Sequence, residues 1–319
     1  MSTRINGIMP VMLTPFTEQN EIDWAGLERL VEWYISNGAD ALFAVAQSSE
    51  MQFLSLTERD ALGRAVVRQV AGRIPVAVSG HISDDLDAQV EELTVAAKTG
   101  ADAVILVTNH LDPRREGTAT FRRTLEALTS TLPSDMPLGL YECPAPYRRL
   151  LSDEELRLCI DTGRFALLKD VSCDLPTVQR RIAMAKGSPL AIVNANAAIA
   201  FDAMKSGSRG FCGVFTNFHP DLYKWLLVSS DSDPALAAEL ATFLALAAVS
   251  EALGYPALAK MYHQRLGTFE SILCRAIDYD VRERFWALDA VLDKIVAGTE
   301  AMRAKVGAGK RVPAGAEAA

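Results

Sequence analysis

Of the nine lysines in the chain, only Lys169 directly ends a strand-like apolar run, FALLK at 165–169, and Asp170 follows it. An amine held at the end of a buried strand is partly desolvated. That disfavours the ammonium and supplies the neutral amine a Schiff-base nucleophile needs. The same position also suits a lysine that merely reaches solvent or pairs with Asp170, so other strand ends must decide. Tyr141 ends the run PLGLY at 137–141, where a phenol can pass protons to and from a substrate oxygen. The loop Ala46-Gln47-Ser48-Ser49-Glu50 puts small hydroxyls and successive backbone N–H groups into one turn. Such a turn holds a carboxylate without a full positive charge. Alone, a Ser-Ser pair is an ordinary turn. With an amine and a phenol beside it, it describes imine chemistry on a 2-oxo acid.

These groups need a scaffold that brings strand ends to one face. Short apolar runs alternate with longer amphipathic ones: GIMPVML, a helix from Asp23 to Asn37, ALFAV, then a helix from about Thr57 to Ala71. IPVAVS (74–79), a helix from Asp84 to Lys98, DAVILV (102–107) and a helix from near Thr118 continue the pattern. PLGLY, FALLK, LAIVNA (190–195) and GFCGVF (210–215) complete eight strand candidates. NGADALFAV (37–45) and TGADAVILV (99–107) are nearly the same text, spaced by two βα units. Strands that are apolar throughout imply a parallel sheet covered by helices. The reading is therefore a (β/α)8 TIM barrel over residues 1–218, with its chemistry at the C-terminal ends of the strands. Residues 219–300 read as a C-terminal helical extension, and 301–319, rich in Gly, Ala and Pro, as a flexible tail dispensable for chemistry.

The net charge of -8 argues against nucleic acid or an anionic membrane as a partner, since both call for a basic surface. No signal-peptide pattern and no run approaching 18 apolar residues is expected, which points to a cytoplasmic protein. The five cysteines are scattered without a C-x-x-C pair, and His81, His110, His219 and His263 lack metal-ligand spacing. Neither a metal nor a cofactor is expected, and no glycine-rich phosphate loop is present.

The arrangement resembles the dihydrodipicolinate synthase and N-acetylneuraminate lyase family of Schiff-base aldolases. The G-x-x-x-x-x-x-T-P-F opening is matched by Gly7 to Phe16, and the G-[ST]-T-G-E loop by Ala46 to Glu50. Y-N-x-P is matched by Tyr141-Glu142-Cys143-Pro144, and the Schiff-base lysine by Lys169, 28 residues beyond the tyrosine. The resemblance implies Lys169 as covalent lysine, Tyr141 as proton shuttle, Ser48 and Ser49 as carboxylate clamp for pyruvate or another 2-oxo acid, and Cys212 as pocket wall. It also implies a homotetramer built from dimers.

The departures bear on which reaction is run. Gln47 replaces the hydroxyl residue of the proton relay, and a carboxamide can bond the tyrosine or a substrate hydroxyl without relaying protons as readily. The segment Thr108 to Pro113 lacks the family's interface tyrosine, which puts the subunit pairing in question and leaves His110 as a substitute acid–base group or a surface residue. Pro146 stands where the synthase has an arginine for its second substrate, so Arg148 or Arg149 either swings in or stays a solvated cation. The expected activity is cleavage, condensation or dehydration of a 4-hydroxy-2-oxo acid. The alternatives are 4-hydroxy-tetrahydrodipicolinate synthase itself and a non-catalytic 2-oxo acid sensor.

Overall fold

A computed structural model of the chain describes residues 5–307. Eight strands form one parallel sheet: β1 (Gly7–Ile8), β2 (Leu42–Ala44), β3 (Val76–Ser79), β4 (Ala103–Val107), β5 (Leu138–Tyr141), β6 (Phe165–Asp170), β7 (Ala191–Asn194) and β8 (Gly210–Phe211). Their spatial order is β1-β8-β7-β6-β5-β4-β3-β2. Val11, just past β1, bridges Phe43 in β2, with Met12 N–H donating to Phe43 O at 3.0 Å and Phe43 N–H to Pro10 O at 2.9 Å. The ring is thereby closed, as the sequence pattern required.

Helices α1 (Trp24–Ser36), α2 (Leu56–Val70), α3 (Leu86–Ala97), α4 (Thr118–Thr131), α5 (Asp153–Asp161), α6 (Leu175–Ala185), α7 (Ala200–Lys205) and α8 (Pro220–Ser229) follow their strands in turn. The eighth βα unit thus takes in residues beyond 218. Local rules start these helices: Ser55 accepts from Glu58 N–H while Glu58 accepts from Ser55 N–H, a capping box at the head of α2.

The repeated junction has one job done twice. Asp40 accepts from Ile8 N–H at 2.8 Å and donates its own N–H to Ile8 O at 2.8 Å. Asp102 does the same with Val76, at 2.8 Å in both directions. Each aspartate ties the entry of its own strand to the preceding strand, so the text recurs wherever that clamp does. Where the ring joins, Gly7 pairs with Gly210; a Cβ on Gly210 would lie 1.9 Å from Gly7 O, so the strands meet only because Gly210 lacks one.

Beyond the barrel run α9 (Pro234–Ala248), α10 (Ala257–Arg265), α11 (Val281–Arg284) and α12 (Leu288–Val306). Helix α12 passes the expected boundary at 300; the part of the expected tail from 308 to 319 lies outside the described residues. The helical stretch Pro234–Ala252 corrects the expectation that no apolar run reaches spanning length: its 19 residues have a mean hydropathy of 1.6. It is apolar on most of its faces, and Ala237, Leu240 and Leu244 are the side chains of α9 that it buries.

Candidate active site

Strands β5 and β6 run in register, Tyr141 beside Lys169, so two neighbouring strand ends deliver their side chains to the same mouth of the barrel. Side chains alternate along a strand. Tyr141 and Lys169 face inward, while the next residues, Glu142 and Asp170, face the helix layer. There Arg181 of α6 donates to Asp170 Oδ2 at 2.5 Å and to the two Glu142 oxygens at 2.6 and 2.9 Å. All three side chains are buried. Glu142 also accepts from Leu151 N–H (2.8 Å) and Val171 N–H (3.1 Å). Burial raises its carboxyl pKa, and Arg181 pulls it part of the way back. This ion cluster buttresses the two strand ends from behind and removes Asp170 as a partner for Lys169.

The Lys169 side chain is buried, and among the described residues no group hydrogen-bonds its amine. Nζ lies 4.1 Å from the Tyr141 ring centroid and 5.6 Å from that of Phe43. Desolvation pushes its pKa below the ordinary lysine value, against the weaker opposing influence of Cys212, Cys143 and Glu251. Desolvation likewise raises Tyr141 well above the usual phenol value, so its proton stays on at neutral pH, and the hydroxyl donates to Gln47 Oε1 at 3.3 Å. Gln47 therefore takes the place of a relay partner as an acceptor, as a carboxamide can.

Both strand ends open into a cavity of about 720 Å3, within the range of small-molecule sites. Lys169, Tyr141, Gln47, Ser48 and His110 line it. Four expected site residues do not. Ser49 turns away: its hydroxyl donates to Met12 O at 2.7 Å and accepts from Ala46 N–H at 3.0 Å, which locks the loop and leaves Ser48 as the hydroxyl at the cavity. Cys212 is fully buried behind the wall, its thiol pushed up to about 11 by desolvation, and Gly213 and Val214 form the lining instead. Arg148 is turned onto the carbonyls of Val171 and Ser172, and Arg149 is spent on Glu155 (2.5 Å) and Asp112 (3.2 Å). No arginine lines the cavity among the described residues.

The structure adds residues that the sequence did not single out. His110 Nδ1 lies 2.7 Å from Asp84 Oδ1, and Asp84, from the loop after β3, also faces the cavity. Glu251 and Tyr255 enter from the segment between α9 and α10. Burial raises both: the Glu251 carboxyl, at an otherwise exposed residue, and the Tyr255 phenol, which accepts from Asn217 Nδ2 at 2.9 Å and sits within hydrogen-bonding reach of Ser48. The loop itself is anchored from the C-terminal region. Glu50, at φ 60°, accepts from Lys260 Nζ at 2.7 Å and from Ala276 N–H at 2.7 Å, and both Glu50 and Lys260 are buried. The two residues are 210 positions apart, and no signal in the sequence pairs them.

A closed parallel barrel with a desolvated amine and a protonated phenol at the C-terminal mouth defines a lyase of the Schiff-base aldolase class. Residues 4–276 match the model of the dihydrodipicolinate synthetase family, and the chain belongs to that family. Among curated relatives, the 4-hydroxy-tetrahydrodipicolinate synthase of Nitrosococcus oceani is 31% identical over 67% of this chain and 72% of its own length. The enzyme of the same name from Porphyromonas gingivalis is 28% identical, covering 70% and 74%. Among solved structures, 4-hydroxy-tetrahydrodipicolinate synthase of Methylacidiphilum fumariolicum superposes with a TM-score of 0.82 at 21% identity, covering 95% of this chain and 98% of that one. CdNal of Clostridium difficile, in complex with mannosamine, gives 0.81 at 16% identity, covering 93% and 100%. At those identities the structural matches speak for the fold alone.

Proposed function

We propose that the protein is a pyruvate-dependent aldolase that cleaves, forms or dehydrates a 4-hydroxy-2-oxo acid through an imine on Lys169. The neutral amine adds to the C2 carbonyl, and the carbinolamine loses water as Tyr141 protonates the leaving hydroxyl. In the cleavage direction a base takes the O4 proton, and the C3–C4 bond breaks to release an aldehyde. Its electron pair passes into the iminium to give an enamine. Protonation at C3 and hydrolysis return pyruvate and the free lysine. Ser48 and the backbone of its turn hold the carboxylate, Gln47 orients Tyr141, and His110, held by Asp84, serves the distal oxygen.

One observation carries this reading: the buried, unpartnered amine of Lys169 lies 4.1 Å from the Tyr141 ring at the wall of a cavity large enough for a substrate. The test is release of pyruvate from a panel of 4-hydroxy-2-oxo acids, detected by a coupled dehydrogenase. Turnover lost in Lys169→Ala supports the reading, and turnover retained in that variant defeats it.

The names of the relatives favour a second reading, 4-hydroxy-tetrahydrodipicolinate synthase. Condensation of pyruvate with aspartate semialdehyde separates the two, and the cavity without an arginine favours the first. The assembly read from the family is a homotetramer or dimer, although a monomeric dihydrodipicolinate synthase variant is among the similar structures. Sedimentation velocity decides between them. The free thiols of the five cysteines accord with a reducing cytoplasm.

A further inference from the structure

The charges around the cavity are unequally distributed, and this bears on the half of the substrate that the family does not fix. Any 2-oxo acid brings one carboxylate, which the Ser48 turn and the amine at Lys169 accommodate. Beyond them, the acidic and basic side chains at the lining are Asp84, His110 and Glu251, and of these only His110 is basic. Asp84 already occupies one nitrogen of that imidazole at 2.7 Å. The arginines nearest in sequence, Arg148 and Arg149, are committed to Val171 and Ser172 carbonyls and to Glu155 and Asp112. The rest of the wall is mostly apolar, with Phe53, Ile82, Val171 and Val214 among its residues, and Gln52, Asn196 and Tyr255 add uncharged polar atoms.

A second carboxylate placed here would meet two carboxylates and no free cation, and like-charge juxtaposition disfavours it. We propose, on the Schiff-base reading above, that the aldehyde half of the substrate is uncharged and largely apolar, and that Glu251 and Asp84 make the site reject aldehydes bearing a carboxylate. The polar atoms such an aldehyde does present, its carbonyl oxygen or the derived hydroxyl, have His110 and Tyr255 as partners.

With pyruvate as donor, condensation is to be measured against size-matched aldehydes: benzaldehyde and isobutyraldehyde as neutral probes, glyoxylate and succinic semialdehyde as anionic ones. The neutral probes are expected to lead by about 100-fold in kcat/KM. In Glu251→Gln, which keeps the side chain's shape, that lead should shrink by about tenfold through faster turnover of the anionic probes. Borohydride trapping of pyruvate on Lys169 in the same samples keeps the two levels apart. Trapping together with a preference for the anionic probes, or with no turnover of any neutral probe, overturns the substrate class and leaves the imine standing. Absence of trapping overturns the imine and this inference with it.

Discussion

Replacing Arg181 by Met tests whether the ion cluster behind the active site is what holds Tyr141 and Lys169 in place. Arg181 gives Asp170 one hydrogen bond at 2.5 Å and Glu142 two, at 2.6 and 2.9 Å, and its other contact is Leu151 O at 3.1 Å. All of it is out of water. Removing one partner from a buried ion pair costs about 3–5 kcal/mol, because the remaining charge is left uncompensated. Against a total stability of about 5–15 kcal/mol the variant should still fold, with a markedly lower denaturation midpoint. The loss should also depend on pH. Burial already raises the Glu142 carboxyl, and without the guanidinium it rises further. Between the unfolded and folded values the native state then binds more protons than the unfolded chain, so stability falls as pH rises through that window. Urea denaturation at about pH 5 and about pH 8 should show the larger penalty at the higher pH. Turnover should fall as well, since the strand ends carrying Tyr141 and Lys169 lose their buttress. A penalty below about 1 kcal/mol, or one that grows toward acid, would refute this reasoning.

Three further outcomes follow from the same geometry. Lys260→Met strips Glu50 of its buried cation and should cost about 3–5 kcal/mol, with a raised KM for pyruvate as the Ser48 loop loosens; calorimetry and steady-state kinetics check both. Tyr141→Phe removes the protonated phenol beside Lys169 and should lower kcat by about 10²–10⁴-fold while leaving stability nearly unchanged. Because desolvation lowers the Lys169 pKa, the rate of pyruvate trapping should climb with pH and level off below the free-lysine value of about 10.4. Over that same window the folded state holds fewer protons than the unfolded chain, so the lysine's contribution to stability rises with pH.

The barrel was legible because its strands are apolar on both faces and its helices carry ordinary caps and periodicity. Lys169 and Tyr141 were legible because a strand that ends in a reactive side chain leaves that side chain at the mouth. Orientation was harder to read. Ser48 and Ser49 look alike in the sequence, yet the turn points one into the cavity and uses the other to bind Met12 and Ala46. Cys212 lies one residue past β8 and so turns behind the wall that Gly213 and Val214 complete. Glu251 and Tyr255 were invisible because they sit between helices whose apolar spacing reads only as packing; their position depends on how α9 and α10 lie over the barrel mouth. Arg149 looked free because Glu155 and Asp112, six and 37 residues away, are brought to it only by the fold.

Mass spectrometry of the protein incubated with pyruvate and borohydride bears most directly on the amine at position 169. A single adduct of one reduced pyruvyl group, mapped to the peptide containing Lys169 and absent from Lys169→Ala, is the expected result. An unlabelled wild-type protein, or label carried by any other lysine while Lys169 stays free, would contradict it.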